Sequence, residues 1–184
     1  NNERRAGPIV QFDHVDHGAY WNAADPLTDY PIDAYESKKI AEDEVFARQY
    51  GLARNLLRSF SLRQLPASQV FDTGQLATLF AILDLLGAHH VAVLMNLKFY
   101  YNPVTSRLEP VAQDNGELKY LAAEGVWGTG RPLDLDGNLS DQRNFHSVLF
   151  SDPVFFQSYI QALEKVTADG FLEKFHGDIT PELQ

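Results

Sequence analysis

The fold is decided by the stretch at residues 96–111, which reads NLKFYYNPVTSRLEPV. Its segment 97–101 has the aromatic-rich composition of a β-strand, and segment 102–106 has the composition of a turn. Segment 108–112 has the composition of a short returning strand. The stretch therefore predicts a β-hairpin whose second strand ends at Gln113-Asp114-Asn115-Gly116.

Two amphipathic helices are predicted on the N-terminal side of this hairpin. Apolar residues recur with a helical period over residues 41–60 and again over residues 73–88. Asp72 precedes the second helix and is followed three residues later by Gln75, a pattern that is typical of a helix N-cap. Gly87 is the residue type that commonly ends a helix, so the second helix is expected to stop near it.

The remaining segments are predicted to be shorter or irregular. Residues 9–12 have strand composition, and the Gly-, Pro- and Asp-containing stretch 13–33 is predicted to be a loop. Residues 115–145 are also rich in Gly, Asp and Asn and are predicted to be irregular. Asp152-Pro153 opens a further helix, because proline is tolerated in a first helical turn. A short helix over residues 171–175 closes the chain.

Length, composition and charge limit the possible classes of protein. The chain has 184 residues, of which 45% are hydrophobic, and this favours one globular domain over residues 1–184 with an α+β, mostly helical fold. Its net charge of −10 argues against a general nucleic-acid surface. The absence of cysteine excludes disulfides and thiolate–zinc sites. No apolar run in the sequence is long enough to predict a transmembrane helix.

The order of elements around the hairpin suggests a site. A long helix is followed by a polar loop, Asn96, the hairpin and then Asp114. Protein kinases share this order in their larger lobe, where an Asn and an Asp bind the metal ion that bridges the ATP phosphates. Amide and carboxylate oxygens are the hard ligands that Mg²⁺ prefers. Because Asn and Asp also cap loops and form turns, the order alone leaves a purely structural interpretation open.

Several segments resemble the CotH family of atypical protein kinases, which is named for spore coat protein H. The most specific is the hairpin stretch at residues 96–111. Shorter segments with the same resemblance are RRAGPIVQFD at 4–13, QVFD at 69–72, DLLGAHH at 84–90 and FSDPVF at 150–155. Together they span nearly the whole chain.

This resemblance implies a protein-kinase-like large lobe, with the metal-site residues carried by the small hairpin. CotH-like kinases use ATP and a divalent metal to phosphorylate Ser or Thr on protein substrates. By position, Asn96 would be the metal-binding Asn of the catalytic loop and Asp114 the metal-binding Asp, with Mg²⁺ or Mn²⁺ as the ion. The protein substrate would be secreted or coat-type, and the location extracytoplasmic, at a cell surface or on a spore coat.

Two departures from the kinase pattern bear on activity. The residue five positions before Asn96 is Val91, which cannot act as a base, and the residue six positions before is His90, which can accept a proton near neutral pH. No Gly-rich phosphate loop and no strand lysine is visible upstream of the hairpin. The small lobe that holds much of the ATP is therefore expected to lie outside these residues, and this portion is expected to be inactive alone.

Other interpretations remain open at this point. The chain is alternatively a pseudokinase-like binding or scaffold module, which the missing catalytic Asp favours, or an acidic surface protein without a nucleotide. An apolar face that would meet the small lobe predicts self-association. His14 and His17 lack further ligands at the spacing of a zinc site. The stretch at residues 134–138 resembles the start of a calcium-binding loop, but the sixth and twelfth positions of that loop, which need Gly and Glu, are Leu139 and Phe145, so it is interpreted as a turn.

Overall fold

A computed structural model describes residues 6–13, 26–35, 37–92, 94, 96–112 and 145–179, apart from a few side chains within these ranges. The strands are β1 (Ile9–Phe12), β2 (Ile32–Ala34), β3 (Lys98–Asn102) and β4 (Arg107–Val111). The helices are α1 (Pro26–Asp29), α2 (Ser37–Glu42), α3 (Glu44–Ser61), α4 (Ala67–Val70), α5 (Thr73–Leu86), α6 (Phe145–Phe150), α7 (Pro153–Val166) and α8 (Phe171–Ile179), with a 3₁₀ helix at His89–Ala92.

The predicted hairpin is half of a larger sheet. The four strands lie in the order β2-β1-β3-β4, and all three neighbouring pairs are antiparallel. The predicted hairpin and the predicted strand at residues 9–12 are confirmed, and the structure joins them with β2 in one sheet. Strand β2 lies in the stretch that was predicted to be loop, since three residues are too few to show an alternating pattern. It pairs with β1 through Val10 opposite Ala34 and Phe12 opposite Ile32.

One face of the sheet is packed against the helices. Side chains alternate between buried and half-buried along β1 and β3, as expected for strands with one face on a core. Val10 and Phe12 of β1 and Phe99 and Tyr101 of β3 point into this core. The buried apolar residues of the described part form one continuous cluster that extends from β1 to α7.

Helix α3 begins later than its apolar pattern predicts. Asp43 separates it from α2 and caps it, accepting hydrogen bonds from the backbone N–H groups of Val45 (2.8 Å) and Phe46 (3.0 Å). Apolar residues of α3 lie along two adjacent lines of the helix surface. The helix buries the line that contains Phe46, Ala53, Leu57 and Phe60, whereas Val45 and Leu52 of the other line are about half exposed.

Helices α5 and α7 have the caps that the sequence predicts. Asp72 caps α5 by accepting a hydrogen bond from the Gln75 N–H (2.9 Å), and Gly87 ends the helix in the left-handed conformation (φ 65°). Asp152 caps α7 with Pro153 in its first turn. The two helices lie side by side, and the Tyr159 hydroxyl of α7 donates a hydrogen bond to the buried Asp84 carboxylate of α5.

Helix α6 packs against α3 and β1 in the core, although the sequence did not predict it. Its first residue, Phe145, is buried and packs edge-on against Phe60 of α3 (5.3 Å between ring centroids), Phe71 (6.0 Å) and Phe12 of β1 (6.2 Å). Six residues are too short for a clear helical period, and α6 follows directly on the stretch that was predicted to be irregular. The apolar ring of Phe145 is therefore what fixes its place.

The α+β, mostly helical class is confirmed for the described residues. The helices cover one face of the antiparallel sheet, giving the layered packing that is usual for such proteins. None of the described helices combines the length and the apolar character that crossing a bilayer requires.

Candidate functional site

The segment between α5 and β3 is the predicted catalytic loop. After Gly87, the chain forms the short 3₁₀ helix His89–Ala92, whose start is fixed by hydrogen bonds from the Ala88 N–H to the Leu83 carbonyl (2.9 Å) and from the Val91 N–H to the Ala88 carbonyl (3.2 Å). This region was predicted to be loop, and the structure gives it one turn of regular backbone. The turn places His90 and Val91 at a fixed distance from the end of α5.

The 3₁₀ helix is anchored to the core by buried apolar side chains. Val91 is 7% exposed and Ala92 is fully buried. Val91 stands five positions before Asn96, where a kinase would have its catalytic Asp. Its side chain is therefore both chemically inert and directed into the core, so a base from this position is excluded.

His146 of α6 holds the same turn from the side. Its Nε2 lies 2.8 Å from the carbonyl oxygen of Ala92. Because a carbonyl oxygen only accepts hydrogen bonds, Nε2 carries the proton and donates. The imidazole also packs edge-on against Phe80 of α5 (5.7 Å between ring centroids) and Phe145 (5.7 Å).

Asn96 lies in a turn directly before β3. Its side chain is half-buried and engages in an interaction within the chain, and the next residue, Leu97, is 2% exposed and anchors the start of the strand. Asn96 is thus at the open end of the hairpin, two residues before the last described strand pair, Lys98 opposite Val111.

Helix α5 is fastened to the hairpin at its other end. The Asp72 N–H donates to the carbonyl of Leu108 in β4 (2.9 Å), and Phe71 forms an isolated parallel bridge with Leu108. The Arg107 guanidinium donates to the carbonyl of Gln69. The helix that leads into the candidate loop and the hairpin that follows it therefore form one connected unit.

The closed end of the hairpin has its own polar network. The Asn102 side chain accepts a hydrogen bond from the Val104 N–H (2.9 Å) and donates one to Oε1 of Glu109 (2.6 Å). Glu109 is 3% exposed, so this contact lies away from water. Ser106 completes the turn in the left-handed conformation (φ 54°) and donates its N–H to the Asn102 carbonyl (2.8 Å).

Lys98 gives the open end a positive charge. Burial lowers the pKa of Lys98, because removal from water disfavours the charged ammonium group. Its Nζ lies 4.2 Å from the centre of the Tyr35 ring, where the face of the ring stabilises a cation. No carboxylate among the described residues pairs with it.

A shallow depression of about 370 Å³ lies where β4 ends beside the first turns of α5. Its lining residues are Gly74, Gln75, Thr78, Leu79, Pro110 and Ala112. The volume falls within the range of small-molecule sites, but these six residues carry no charged group. The depression therefore offers hydrogen-bonding and apolar surface near the hairpin exit, without a phosphate-binding cation of its own.

The structure describes the predicted site residues to different extents. Asn96 has a described place, His90 has only a described backbone, and Asp114 lies outside the described residues. The two histidines at positions 14 and 17 and the stretch 134–138 also lie outside them. Within the described residues, no three His, Asp or Glu side chains come together in a way that would hold a metal ion. The proposed Asn96–Asp114 pair stays a prediction.

Two polar features of this region were missed by sequence reasoning. His146 is 54 residues from Ala92 along the chain, and no local pattern indicates their contact. Glu109 stands on a strand in a position that reads as solvent-facing, yet it is buried. The Asn102 that precedes Pro103 was a usable signal for the turn, but not for its second partner seven residues away.

Comparison of the chain with protein-family models, with curated protein sequences and with solved structures finds no match. The resemblance to CotH-like kinases therefore rests on the sequence segments quoted above.

Proposed function

We propose that this chain is part of a CotH-like atypical protein kinase, which transfers the γ-phosphoryl group of ATP to Ser or Thr of a secreted or coat-type protein. The observation that carries the proposal is the hairpin stretch at residues 96–111. Its sequence resembles that of the family, and in the chain it follows helix α5 and a short 3₁₀ turn, with Asn96 before the first strand. The kinase-like arrangement of the large lobe is part of this proposal.

The hairpin register supports a common location for the two proposed metal ligands. Asn96 precedes the first residue of β3 by two positions, and Asp114 follows the last residue of β4 by three positions. Lys98 and Val111 face each other across the ladder. Asn96 and Asp114 are thus each two or three positions in sequence from the same end of the hairpin, and this spacing supports the proposal that they bind one ion.

The donor set fits a hard divalent cation. An amide oxygen from Asn96 and a carboxylate from Asp114 are ligands that suit Mg²⁺ or Mn²⁺, and the ion completes its shell with water and phosphate oxygens. When bound, such an ion neutralises phosphate charge. Lys98, which no described carboxylate pairs with, adds a positive charge at the same end of the hairpin and suits an anionic ligand. His90 would contact the acceptor hydroxyl.

Titration calorimetry with Mn²⁺ and ATP tests the proposal. We expect the chain to bind Mn²⁺–ATP and Asp114→Ala to lose that binding, because one of two protein ligands to the ion is removed. Asp169→Ala is the matched control, since Asp169 is an exposed carboxylate in the turn before α8. Equal binding by the wild-type chain and Asp114→Ala contradicts the assignment of Asp114.

A pseudokinase-like scaffold is the second candidate function. It is favoured by Val91, whose buried apolar side chain occupies the position of the catalytic base. Phosphoryl transfer depends mainly on positioning and charge neutralisation, so this substitution slows the reaction without forbidding it. If the wild-type chain binds Mn²⁺–ATP but the intact protein incorporates no labelled phosphate into itself or into a Ser/Thr-rich peptide, the scaffold is favoured.

Self-association stays a prediction. The larger exposed apolar side chains of the described part are distributed over several helices rather than gathered on one named face; among them are Val45, Leu52, Leu86, Phe156, Ile160, Leu172 and Phe175. Scattered exposed apolar residues are common on monomeric proteins. Their distribution does not by itself identify the surface that would meet a small lobe.

A further inference from the structure

We infer that His146 is a positioning residue for the proposed nucleotide site, acting through the backbone of the segment that ends at Asn96. The inference rests on the proposed function of that segment. His146 belongs to α6, and its described hydrogen bond reaches the Ala92 carbonyl in the 3₁₀ helix. Only three residues separate Ala92 from Asn96.

The last carbonyl of a short helix needs a partner. The 3₁₀ helix is one turn long, and the carbonyl groups at its C-terminal end have no acceptor role inside that turn. Ala92 itself is fully buried, so a carbonyl there without a hydrogen-bond partner would destabilise the turn. The His146 imidazole supplies the donor from a side chain that is separately held by the rings of Phe80 and Phe145.

The geometry defines which chemical property of His146 matters. A carbonyl partner requires Nε2 to carry hydrogen, and both the neutral Nε2–H tautomer and the imidazolium meet that requirement. Protonation of the ring therefore preserves the bond. His146 is a hydrogen-bond donor whose side-chain length matters, and it is not a pH switch. Nε2 lies at the far side of the ring from the backbone, whereas Nδ1 is bonded to Cγ. A replacement side chain therefore reaches Ala92 only if its donor atom lies about where Nε2 does.

Two amide substitutions separate reach from chemistry. In His146→Gln the terminal amide nitrogen occupies about the place of Nε2 and donates to the Ala92 carbonyl. In His146→Asn the amide is one methylene shorter and does not reach. His146→Phe keeps the ring packing against Phe80 and Phe145 but has no donor. All three variants remove the titratable group, so only hydrogen bonding and packing differ between them.

Backbone hydrogen exchange followed by mass spectrometry is the first readout, and calorimetric affinity for Mn²⁺–ATP is the second. We expect peptides covering residues 89–98 to exchange about five- to tenfold faster in His146→Asn and His146→Phe than in wild type, as losing a bond of about 1 kcal/mol predicts. Peptides from α3 should be unchanged. His146→Gln should exchange like wild type. The Mn²⁺–ATP affinity should fall several-fold in the Asn and Phe variants and be restored in the Gln variant.

The two readouts separate this inference from the function it rests on. Unchanged exchange over residues 89–98 in the Asn and Phe variants overturns the positioning role even if Mn²⁺–ATP still binds. Faster exchange throughout the chain also overturns it, because that pattern marks a general structural role. If the wild-type chain binds no Mn²⁺–ATP, the proposed function fails, and the exchange comparison between the Asn and Gln variants still decides whether His146 holds the segment.

Discussion

The two ends of the β3–β4 hairpin are built by different kinds of contact. At the closed end, Asn102 bonds to Val104 and Glu109, two and seven residues away. At the open end, the segment that leads to Asn96 is held by His146, which is 54 residues from its partner Ala92. Residues close in sequence therefore specify the turn, whereas the segment before Asn96 is held by α6, a helix that comes later in the chain.

A substitution between the two ends should have the largest effect. Phe99, the second residue of β3, is fully buried and packs against Phe71 (4.9 Å between ring centroids) and Phe145 (6.1 Å). Phe99→Ala is expected to lower the free energy of unfolding by about 3–5 kcal/mol, because it leaves a cavity in the core beneath the hairpin. Denaturant unfolding followed by circular dichroism measures this loss.

Val104→Ala is the matched control for that prediction. Val104 is 63% exposed at the tip of the same hairpin, so its truncation should change the unfolding free energy by no more than about 0.5 kcal/mol. Similar losses of unfolding free energy in the two variants would mean that the buried face of the sheet does not contribute to the core as described.

A substitution at the closed end should cost less and act locally. Asn102→Ala removes the donor to the buried Glu109 carboxylate and the acceptor for the Val104 N–H. Because hydrogen bonds to charged groups contribute about 1.5–3 kcal/mol, we expect a loss of about 2–3 kcal/mol in unfolding free energy. If the two ends are independent, Mn²⁺–ATP affinity stays at its wild-type value while the variant is folded.

Thr105→Ala is the control within the same turn, since Thr105 is exposed and its loss should be nearly neutral. A drop in nucleotide affinity in Asn102→Ala without a matching drop in stability would contradict the independence of the two ends.

The parts of the fold that the sequence predicted share a local cause. The caps that Asp72 and Asp152 form on their own helices and the stop at Gly87 depend on residues within five positions of one another. The hairpin pairs residues that are 5 to 13 positions apart, and they are brought together by one short turn. The parts that were missed depend on distant partners. Strand β2 has too few residues to show a period, and it exists because β1 pairs with it.

The same distinction applies to the candidate site. The spacing of Asn96 relative to the hairpin was predictable from sequence, and the structure gives that residue the expected place before β3. The burial of Val91 and the contact of His146 with Ala92 depend on packing between α5, α6 and the sheet. No sequence pattern marked them, because residues at such separations leave no periodic signal.

The smallest expected effect concerns a second long-range contact of the α6–α7 region. The Asp152 carboxylate accepts hydrogen bonds from the Val154 N–H (2.9 Å), which it caps, and from the Ser68 N–H (2.7 Å), 84 residues away. Asp152→Asn keeps one oxygen for the cap but turns an amide donor toward Ser68. We expect a loss of about 1–2 kcal/mol in unfolding free energy at neutral pH.

The pH dependence of that loss distinguishes the long-range contact from an ordinary cap. Burial alone would raise the pKa of Asp152, but the hydrogen bonds from Ser68, Val154 and Phe155 outweigh it and hold the pKa below its usual value. A carboxyl whose pKa is lowered by folding stabilises the chain fully above its unfolded pKa of about 3.9, and this contribution is lost as the pH falls through the folded pKa. The difference between wild type and Asp152→Asn should therefore be constant from pH 7 to about pH 5 and shrink below about pH 4.

Asp72→Asn provides the comparison, because both described bonds of the Asp72 side chain go to Gln75, three residues away. Asn and Asp are nearly equal as N-caps, so this variant should lose only about a few tenths of a kcal/mol. Equal losses for the two variants would show that the Ser68 contact adds nothing to the cap. In that case the α6–α7 region would be held to the rest of the chain by its buried rings and by the hydrogen bonds from Tyr159 to Asp84 and from His146 to Ala92.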